Sequence, residues 1–570
     1  MKPNQIILII NTIIVLTLFG CQPKTGETAD IIYYNGTIIT MNDSQKEVNS
    51  IAIKDGKIIA IGDWKTLKQK HSSDSTELKD LAGQTMLPGF IDGHSHFTLG
   101  MKMLAQANLN SPPVDSIRSI SDLISRLKQH KERFGIKAGG WIVGWGYDPD
   151  QLEEKRHPNR KELTTAFPEN PVFILHASFH MAVANSSALA IAGINAQTLN
   201  PVGGVIVKEE NSDEPNGLLQ ETAMYELFGY LPTPTMEQSM YLLNATQELY
   251  ASHGITTAQD GFTDSLTYAM LKAAAAQSAL KIDIEALASF REAKYFIENE
   301  TFGENNNGLR LAGMKVVSDG SPQGKTAYFR EPYKTVVPNC THECRGFPTV
   351  QPKQLEKLMA SCYQNNVQLY VHANGDASID MLLNTHEKVT DSLKMPNDKQ
   401  RTVVIHSQFV QQDQLERYSK YDFVPSFFTN HAYFWGDVHL ENLGEERANF
   451  LSPMKTTMDM GIICTNHTDY TITPIDQLFL LWTSVQRTSR TNQIIGKSER
   501  LTPYEGLKAI TINGAYQHQN DDLKGSIEVG KLADLVILDG NPLTVEPDAI
   551  KDLKVLETIK KGEVIYSRKR

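Results

Sequence analysis

The stretch that decides the fold is Leu87-Pro88-Gly89-Phe90-Ile91-Asp92-Gly93-His94-Ser95-His96. It runs from an apolar, strand-like segment directly into two histidines separated by one serine. Histidine is among the commonest protein ligands of divalent metal ions. A buried strand followed at once by imidazoles predicts a metal-binding site at the carboxyl end of that strand.

Further strands lead into residues of the same metal-binding type. His372 and His406 each follow a β-rich apolar segment, and Asp469 follows a strand predicted over residues 461–464. In a parallel barrel the carboxyl ends of the strands meet at one mouth, so residues far apart in sequence come together there. Imidazole and carboxylate ligands together suit zinc and similar divalent ions.

The segment from Leu87 to Ala515 alternates apolar strands with amphipathic helices. Residues 367–371 and 402–405 are β-rich and mostly apolar, which is typical of strands buried on both faces of a parallel sheet. Residues 354–365 have the apolar spacing of a helix between two such strands. The alternation predicts an α/β fold, a (β/α)8 TIM barrel over residues 87–515.

The spacing of the candidate ligands fits the repeat of such a barrel. His372 and His406 are 34 residues apart, about one βα unit of ~30 residues. His406 and Asp469 are 63 residues apart, about two units. An unliganded strand is therefore predicted between them, over residues 423–427.

The connection after the first strand is longer than a barrel requires. From His96 to Lys315 there are 219 residues, more than three plain βα units need. An insertion is therefore predicted here, within about residues 102–233.

Short strand signals also occur at both ends of the chain. Before the barrel, apolar segments separated by glycine and aspartate turns lie within residues 31–86. After the barrel, residues 516–570 contain a strand at 534–538 and a tight turn at Lys561-Gly562-Glu563. We interpret the two ends as halves of one small β domain; the alternative is two unrelated flanking hairpins.

Residues 1–20 have the pattern of a bacterial lipoprotein signal peptide. Lys2 precedes an apolar stretch from Ile6 to Leu18, which is too short to span a bilayer. The stretch ends in Leu18-Phe19-Gly20-Cys21, similar to a lipobox, and residues 21–30 follow as a polar tether. We expect an exported protein whose Cys21 is lipidated and anchors it to the cell envelope, in the periplasm or at the outer membrane. The alternative is an ordinary secretory signal with an incidental cysteine.

Composition limits the classes of partner. The chain has 570 residues, 41% hydrophobic and 21% charged, which is ordinary for a soluble globular protein. Its formal net charge is −11 and it has no long Lys/Arg run, which argues against nucleic-acid binding. A small molecule is the expected partner, besides the membrane, and a homo-oligomer is an open possibility.

Two cysteines lie close together in the sequence, at Cys340 and Cys344. In an oxidising compartment they can close a small disulfide. With His342 between them they resemble a metal site, but the spacing fits no standard zinc pattern. A disulfide or free thiols on a surface loop are expected.

The motifs as a set resemble the amidohydrolase superfamily, in particular the amidohydrolase family 3 branch that includes N-substituted formamide deformylase-like enzymes. The resemblance extends from about Ala29 to the C-terminus and is strongest in the stretch quoted first. It implies a barrel with a small composite β-sandwich built from residues 31–86 and 516–570. Supporting matches are Val316-Val317-Ser318-Asp319-Gly320-Ser321, His372-Ala373-Asn374-Gly375-Asp376 and Gly530-Lys531-Leu532-Ala533-Asp534-Leu535-Val536.

The resemblance also implies roles for the candidate ligands. His94 and His96 hold one metal ion, and His372 and His406 hold a second ion or complete the first site. Asp469 binds metal and accepts a proton from the attacking water, which makes it the catalytic residue. One or two zinc ions are the expected cofactor.

Lys315 lies where binuclear members of the family carry a carboxylated lysine as a bridge. An ammonium group has no lone pair to offer a cation, so this role requires carboxylation. The alternative is a salt-bridged lysine beside a single metal ion.

The sequence departs from the family after the last barrel strand. A Ser/Asn-Asp-x-Pro motif is usual there, but residues 467–471 read His-Thr-Asp-Tyr-Thr. Asp469 remains the candidate because Asp476 lies further beyond the strand. His467 is a possible contributor, although a loop histidine is more often structural or merely polar.

Polar residues near the expected mouth are candidates for positioning the substrate or stabilising an oxyanion. The alternative for each is an ordinary polar loop residue. The candidates are His180, Asn185, Asp319, Gln323 and His431.

The leading functional hypothesis is a metal-dependent hydrolase of amides, N-formyl compounds or cyclic amides. One rival is a deaminase on the same barrel, which acts with a single metal ion. The other is a non-catalytic surface lipoprotein that binds a metal ion or a ligand. The sequence does not identify the substrate.

Overall fold

The computed structural model describes residues 26–112, 114–177, 181–201, 204–232, 234–337, 340–395 and 400–569. The predicted signal peptide, Cys21 and His180 lie outside these ranges. Among the helices that are described, none has the length and apolarity needed to cross a membrane.

The centre of the described chain is a curled sheet of eight parallel strands arranged in chain order. Segments after its first and last strands are joined by backbone hydrogen bonds: Asp469 N donates to His94 O at 3.0 Å, and His96 N donates to Tyr470 O at 2.7 Å. The predicted barrel fold is confirmed. The strands are Phe90–Ile91, Ile255–Thr263, Asp283–Ser289, Leu309–Val317, Leu369–Ala373, Val403–His406, Val424–Phe427 and Thr465–Asn466, and Asn305–Asn306 adds a short antiparallel edge.

Helices alternate with these strands and bury one apolar face each. In Pro352–Gln364 the buried side chains are Leu355, Met359, Cys362 and Tyr363, which recur at the three- and four-residue spacing of one helix face. The other helices of this part are Phe97–Leu104, Met236–Ser252, Ser265–Ala276, Ala293–Asn299, Asp376–Leu393, Gln412–Tyr421, Asn430–Leu443, Glu445–Asn449, Met454–Asp459, Gln477–Gln486, Pro503–Ala509 and Ile512–Gln517, with 3-10 turns at Phe290–Glu292 and Lys497–Glu499.

The predicted strand over residues 461–464 is wrong. Gly461 has φ +77° and ends the helix Met454–Asp459, and Ile462 N donates back to Thr457 O at 3.2 Å. The stretch is a connecting segment, and it is apolar because Ile462 and Cys464 are buried in the main apolar cluster. The eighth strand is instead Thr465–Asn466, so the strand ends closer to Asp469 than predicted.

Strands from both chain ends share one sheet of eight strands within the described ranges. Near its middle, Thr85–Pro88 pairs antiparallel with Leu535–Leu538, which excludes two unrelated hairpins. The helix Trp64–His71 packs against this sheet. The remaining strands are Ile31–Ile39, Glu47–Lys54, Lys57–Gly62, Glu77–Asp80, Val555–Lys560 and Glu563–Ser567, and a 3-10 segment spans Pro547–Asp552.

A separate mixed sheet lies between the first and second barrel strands, within the predicted insertion. Neighbouring residues of one strand face opposite sides: Phe173 and Leu175 belong to one apolar cluster, and Val172 and Ile174 to another. The insertion therefore has its own core on both faces of its sheet. Its strands are Ala107–Asn108, Ile142–Tyr147, Val172–His176, Met181–Ala184, Gly204–Lys208 and Pro215–Glu221; its helical segments are Ile120–Arg133, Arg160–Ala166, Ser186–Ile191, Thr222–Tyr225 and the 3-10 turn Phe228–Tyr230.

Cys340 and Cys344 form a disulfide in the segment between the fourth and fifth barrel strands. Neither sulfur is then available as a thiolate ligand, so the metal-site interpretation of this pair is wrong. Cys362 and Cys464 are buried free thiols.

Candidate metal centre

Three of the predicted ligands meet at the carboxyl end of the barrel. One ligand atom each from His94, His96 and Asp469 lies within 4.8 Å of the others. Asp469 Oδ1 is 3.6 Å from His94 Nε2 and 3.3 Å from His96 Nε2. Neighbouring ligands of a tetrahedral zinc ion, with bonds of about 2.0–2.1 Å, lie about 3.4 Å apart. The three side chains therefore have the spacing of ligands to one ion.

Asp469 is held in an unusual backbone conformation, with φ +50°. The preceding Thr468 donates to the buried carboxylate of Asp92 through its backbone N at 3.0 Å and its Oγ1 at 2.5 Å. Asp469 Oδ1 is buried and accepts no hydrogen bond from any described residue. A buried carboxylate oxygen without a donor is costly unless a cation fills the site, so this atom fits a metal ligand.

The protonation states of the ligands also suit metal binding. Burial lowers the pKa of His372 to about 3 and that of His94 well below its usual value, with Lys315 adding to both shifts. Burial alone would raise the pKa of Asp469, but the neighbouring His96 lowers it below the usual value. Neutral imidazoles and an ionised carboxylate are the forms that coordinate a metal ion.

His372 and His406 form a second pair at the same mouth. They lie on adjacent parallel strands, and His372 Nδ1 is 3.0 Å from His406 Nε2. The rings of His406 and His94 have their centroids 5.5 Å apart. His406 has φ +71°, a tight backbone turn at the end of its strand. The pair is not part of the three-residue group but adjoins it, as two ligands of a second ion would.

Lys315 points from the fourth strand into this cluster. Its Nζ is 3.1 Å from His94 Nε2, and it forms no salt bridge with a described carboxylate. Burial lowers the pKa of Lys315 to about 7. Within the described residues Lys315 thus contacts His94, and its carboxylation stays a prediction.

One contact of the first histidine was missed from the sequence. Gln259, on the second barrel strand, places Oε1 2.5 Å from His94 Nδ1 and donates from Nε2 to Gly93 O at 3.0 Å. Gln259 is one of several polar residues in the buried strand Ile255–Thr263, and that polarity was the available signal.

Two of the proposed substrate-binding residues have structural partners. Asp319 accepts hydrogen bonds from the backbone N of Tyr328 at 3.0 Å and of Asn374 and Gly375 at 2.9 Å each, so it holds two loops together. Asn185 is fully buried and caps the helix Ser186–Ile191. These hydrogen bonds fit the alternative of structural polar residues, and a substrate contact at either position stays a prediction.

The other candidates differ in position. Gln323 Oε1 is buried without a described hydrogen-bond partner. His431 packs on Phe428, with ring centroids 4.6 Å apart, and Phe428 in turn lies 4.9 Å from the ring of His467. The ring of Phe428 thus contacts both His431 and His467 of the histidine cluster. His180 lies outside the described residues.

The similarity to several known proteins covers almost the whole chain. The putative amidohydrolase YtcJ of Bacillus subtilis is 27% identical over 551 residues, which covers 94% of this chain and 99% of that protein. An N-substituted formamide deformylase of Arthrobacter pascens is 25% identical and covers 95% and 98%. The crystal structure of an uncharacterized metal-dependent hydrolase from Pyrococcus horikoshii OT3 has a TM-score of 0.73 at 25% identity and covers 91% and 99%.

The sequence profile of the amidohydrolase family matches residues 77–566. This range includes every barrel strand and each of the ligand positions described above. The chain belongs to the amidohydrolase family.

Proposed function

We propose that the protein is a metal-dependent hydrolase that cleaves a non-peptide C–N bond of a small molecule. The substrate class is an amide, an N-formyl compound or a cyclic amide. The observation that carries the proposal is the unpartnered, buried Oδ1 of Asp469 facing His94 and His96. The similarity to an N-substituted formamide deformylase supports the same class of bond.

The ligand set favours one or two zinc ions, because imidazole and carboxylate donors dominate. His94, His96 and Asp469 would hold one ion, and His372 with His406 the other. Lys315 would join them as a carbamate. In that reaction the free amine attacks carbon dioxide, forms an N–C bond and loses a proton, and a pKa of about 7 makes the free amine readily accessible.

A bound divalent ion would lower the pKa of water and polarise the substrate carbonyl. Asp469 takes the proton of the attacking water and returns it to the leaving nitrogen as the C–N bond breaks. The products are a carboxylic acid and an amine, so atoms and charge balance.

The test is metal analysis combined with a substrate panel. Protein purified without chelators should contain one to two equivalents of divalent metal by elemental analysis. Loaded with zinc, manganese or cobalt, it should hydrolyse at least one N-formyl, N-acyl or hydantoin-type compound. Protein that holds no metal and gains no activity on loading would overturn the proposal and favour a non-catalytic binding lipoprotein.

A mononuclear deaminase is the second candidate function. His94, His96 and Asp469 form a ligand group on their own, without the second histidine pair. A stoichiometry of one metal ion, with ammonia as the released product, would favour this reading over the hydrolysis of an amide.

We further propose that the protein is exported and held at the cell envelope by lipidated Cys21. This rests on the sequence pattern of residues 1–20.

A further inference from the structure

A buried chain of hydrogen bonds begins at the ligand candidate His406. His406 Nδ1 is 3.1 Å from His467 Nε2, and His467 Nδ1 is 3.0 Å from Ser426 Oγ. Thr465 Oγ1 is 2.8 Å from Ser426 Oγ and 2.5 Å from Gln517 Oε1. All these side chains are buried, so water does not substitute for any link.

This chain of hydrogen bonds ends at the backbone of the first histidine motif. Gln517 Nε2 donates to Gly93 O at 2.6 Å. The same carbonyl accepts a hydrogen bond from Gln259 Nε2, whose amide oxygen contacts His94 Nδ1. Two buried networks, one from His406 and one from His94, therefore meet at Gly93 O.

The hydrogen bond to Gly93 O fixes which atoms donate and which accept in the neighbouring hydrogen bonds. A carbonyl oxygen only accepts, so Gln517 must turn its Nε2 toward Gly93 and its Oε1 toward Thr465. Because Oε1 only accepts, the single hydroxyl proton of Thr465 is donated to it. Thr465 Oγ1 is also the donor toward Ser426 Oγ, so these two acceptors share its one proton.

The proposed metal site sets the roles of the two histidines. To bind a metal ion through Nε2, a neutral His406 must carry its single ring proton on Nδ1. His467 Nε2, at 3.1 Å, is then the acceptor of that proton, and His467 carries its own ring proton on Nδ1, 3.0 Å from Ser426 Oγ. The lone pair of His406 then lies on Nε2, the atom 3.0 Å from His372 Nδ1.

We infer that His467 is a positioning residue that fixes the tautomer and ring orientation of His406 for binding a metal ion through Nε2. This rests on the proposed metal-dependent function. His94 is fixed in the same sense: its Nδ1 donates to Gln259 Oε1, and its Nε2 faces Asp469. Outer residues of this kind orient ligating histidines and raise their affinity for metal.

The network leaves no room for a side chain at Gly93. A Cβ at residue 93 would come within 3.0 Å of Thr465 Oγ1 and 3.2 Å of Ser426 Oγ. Any side chain there would press on the hydroxyls of Thr465 and Ser426, and Ser426 contacts His467.

The test compares His467→Phe, which removes the acceptor, with His467→Gln, whose amide oxygen can still accept from His406. Zinc affinity is measured by competition with a chromophoric chelator, and cobalt(II) spectra report the ligand geometry. We expect His467→Phe to weaken the binding of one metal equivalent by about 10–100-fold and to change its spectrum. His467→Gln should recover most of that loss.

Ser426→Ala provides a second, smaller change in case His467→Phe fails to fold. It breaks the chain one link further away and should weaken the same equivalent by a smaller factor. His386→Phe is the matched control: this buried histidine contacts Tyr363 Oη at 2.8 Å, on a helix outside the barrel strands, and its loss should leave metal binding unchanged.

The outcomes separate this inference from the proposed function. A wild-type protein that takes up no divalent ion overturns both. A wild-type protein that binds metal, with His467→Phe and Ser426→Ala binding it equally tightly, overturns only the role of His467. A loss in His467→Phe that His467→Gln does not repair also overturns it, because an acceptor at this position would then be insufficient.

Discussion

Asp469 and Asp476 both follow the eighth barrel strand, but their carboxylates have different partners. Asp476 caps the helix Gln477–Gln486, and its Oδ1 accepts hydrogen bonds from Leu478 N and Phe479 N at 3.0 Å each. Asp469 Oδ1 has no described donor and faces two imidazoles. Of the two carboxylates, that of Asp469 is the one that faces the candidate metal ligands.

Replacing Asp469 separates chemistry from folding. Asp469→Asn keeps the shape of the side chain but removes its basicity, so the turnover number should fall by about 10²–10⁴-fold. The melting temperature should change little. Asp476→Asn is the matched control, since asparagine also caps helices well and should retain activity. Near wild-type turnover in Asp469→Asn, with activity lost in Asp476→Asn, would show that the wrong aspartate has been assigned.

A second residue-scale prediction concerns pH. His439 is fully buried, and burial lowers its pKa to about 3. Between about pH 6.5 and 3 the unfolded chain therefore binds a proton that the folded protein refuses. The stability that follows is present above pH 6.5 and is lost as the pH falls, at about 1.4 kcal/mol per pH unit per proton.

His439→Gln should remove this contribution. Its free energy of unfolding should fall less steeply than that of the wild type between pH 6 and 4, by about 1.4 kcal/mol per pH unit. Chemical unfolding across this range is the measurement. Identical slopes in the two proteins would contradict the prediction.

The candidate metal ligands could be predicted from the sequence, whereas the residues that orient them could not. His94, His96, His372 and His406 stand directly after apolar strands, and strand order places them at one mouth. Gln517 lies near the end of a helix and has no local pattern that links it to Gly93. Hydrogen-bond chains depend on tertiary distances, which strand periodicity does not encode.

At the scale of elements, a buried ionic cluster joins the barrel to the sheet shared by the chain ends. Asp283, at the start of the third barrel strand, binds Lys524 and Lys560, and Lys560 also binds Asp534 at 2.6 Å. Burial opposes the charge of Asp283, but the two lysines lower its pKa below the usual value. The strand Val555–Lys560 is thereby tied to the start of the third barrel strand.

Breaking this cluster should destabilise the protein strongly. Asp283→Asn leaves two buried lysines with less negative charge, a change that typically costs about 3–5 kcal/mol. The matched control is Asp30→Asn, which breaks the more exposed pair with Lys54 at 2.8 Å and should cost at most about 1 kcal/mol. Thermal unfolding of both variants is the measurement, and equal shifts would refute the importance of the cluster.

Element types followed from sequence patterns more reliably than element ends. The unliganded strand Val424–Phe427 lies where the spacing from His406 to Asp469 required it. The eighth strand was misplaced because a buried connecting segment can be as apolar as a buried strand. The sheet of the insertion was not anticipated, since its strands pack on a core of their own and add nothing to the barrel repeat.

At the scale of the whole molecule, anchoring at the cell envelope stays a prediction. Cys21→Ala should move the protein from the membrane fraction to the soluble fraction or block processing of the leader, because the apolar stretch is too short to hold the chain as a transmembrane helix. Fractionation and metabolic labelling with a lipid precursor measure this. A processed Cys21→Ala protein that still sediments with membranes would contradict the lipid anchor.

The sheet shared by the two chain ends cannot form until synthesis is nearly complete. Thr85–Pro88 leaves the ribosome long before its partner Leu535–Leu538 has been translated. The first histidine motif, which follows Thr85–Pro88 directly, stays without its flanking support until almost the last residue has emerged. Pairings between such distant segments also form slowly. If the protein is exported as proposed, this order predicts that folding is completed only after the chain has crossed the membrane.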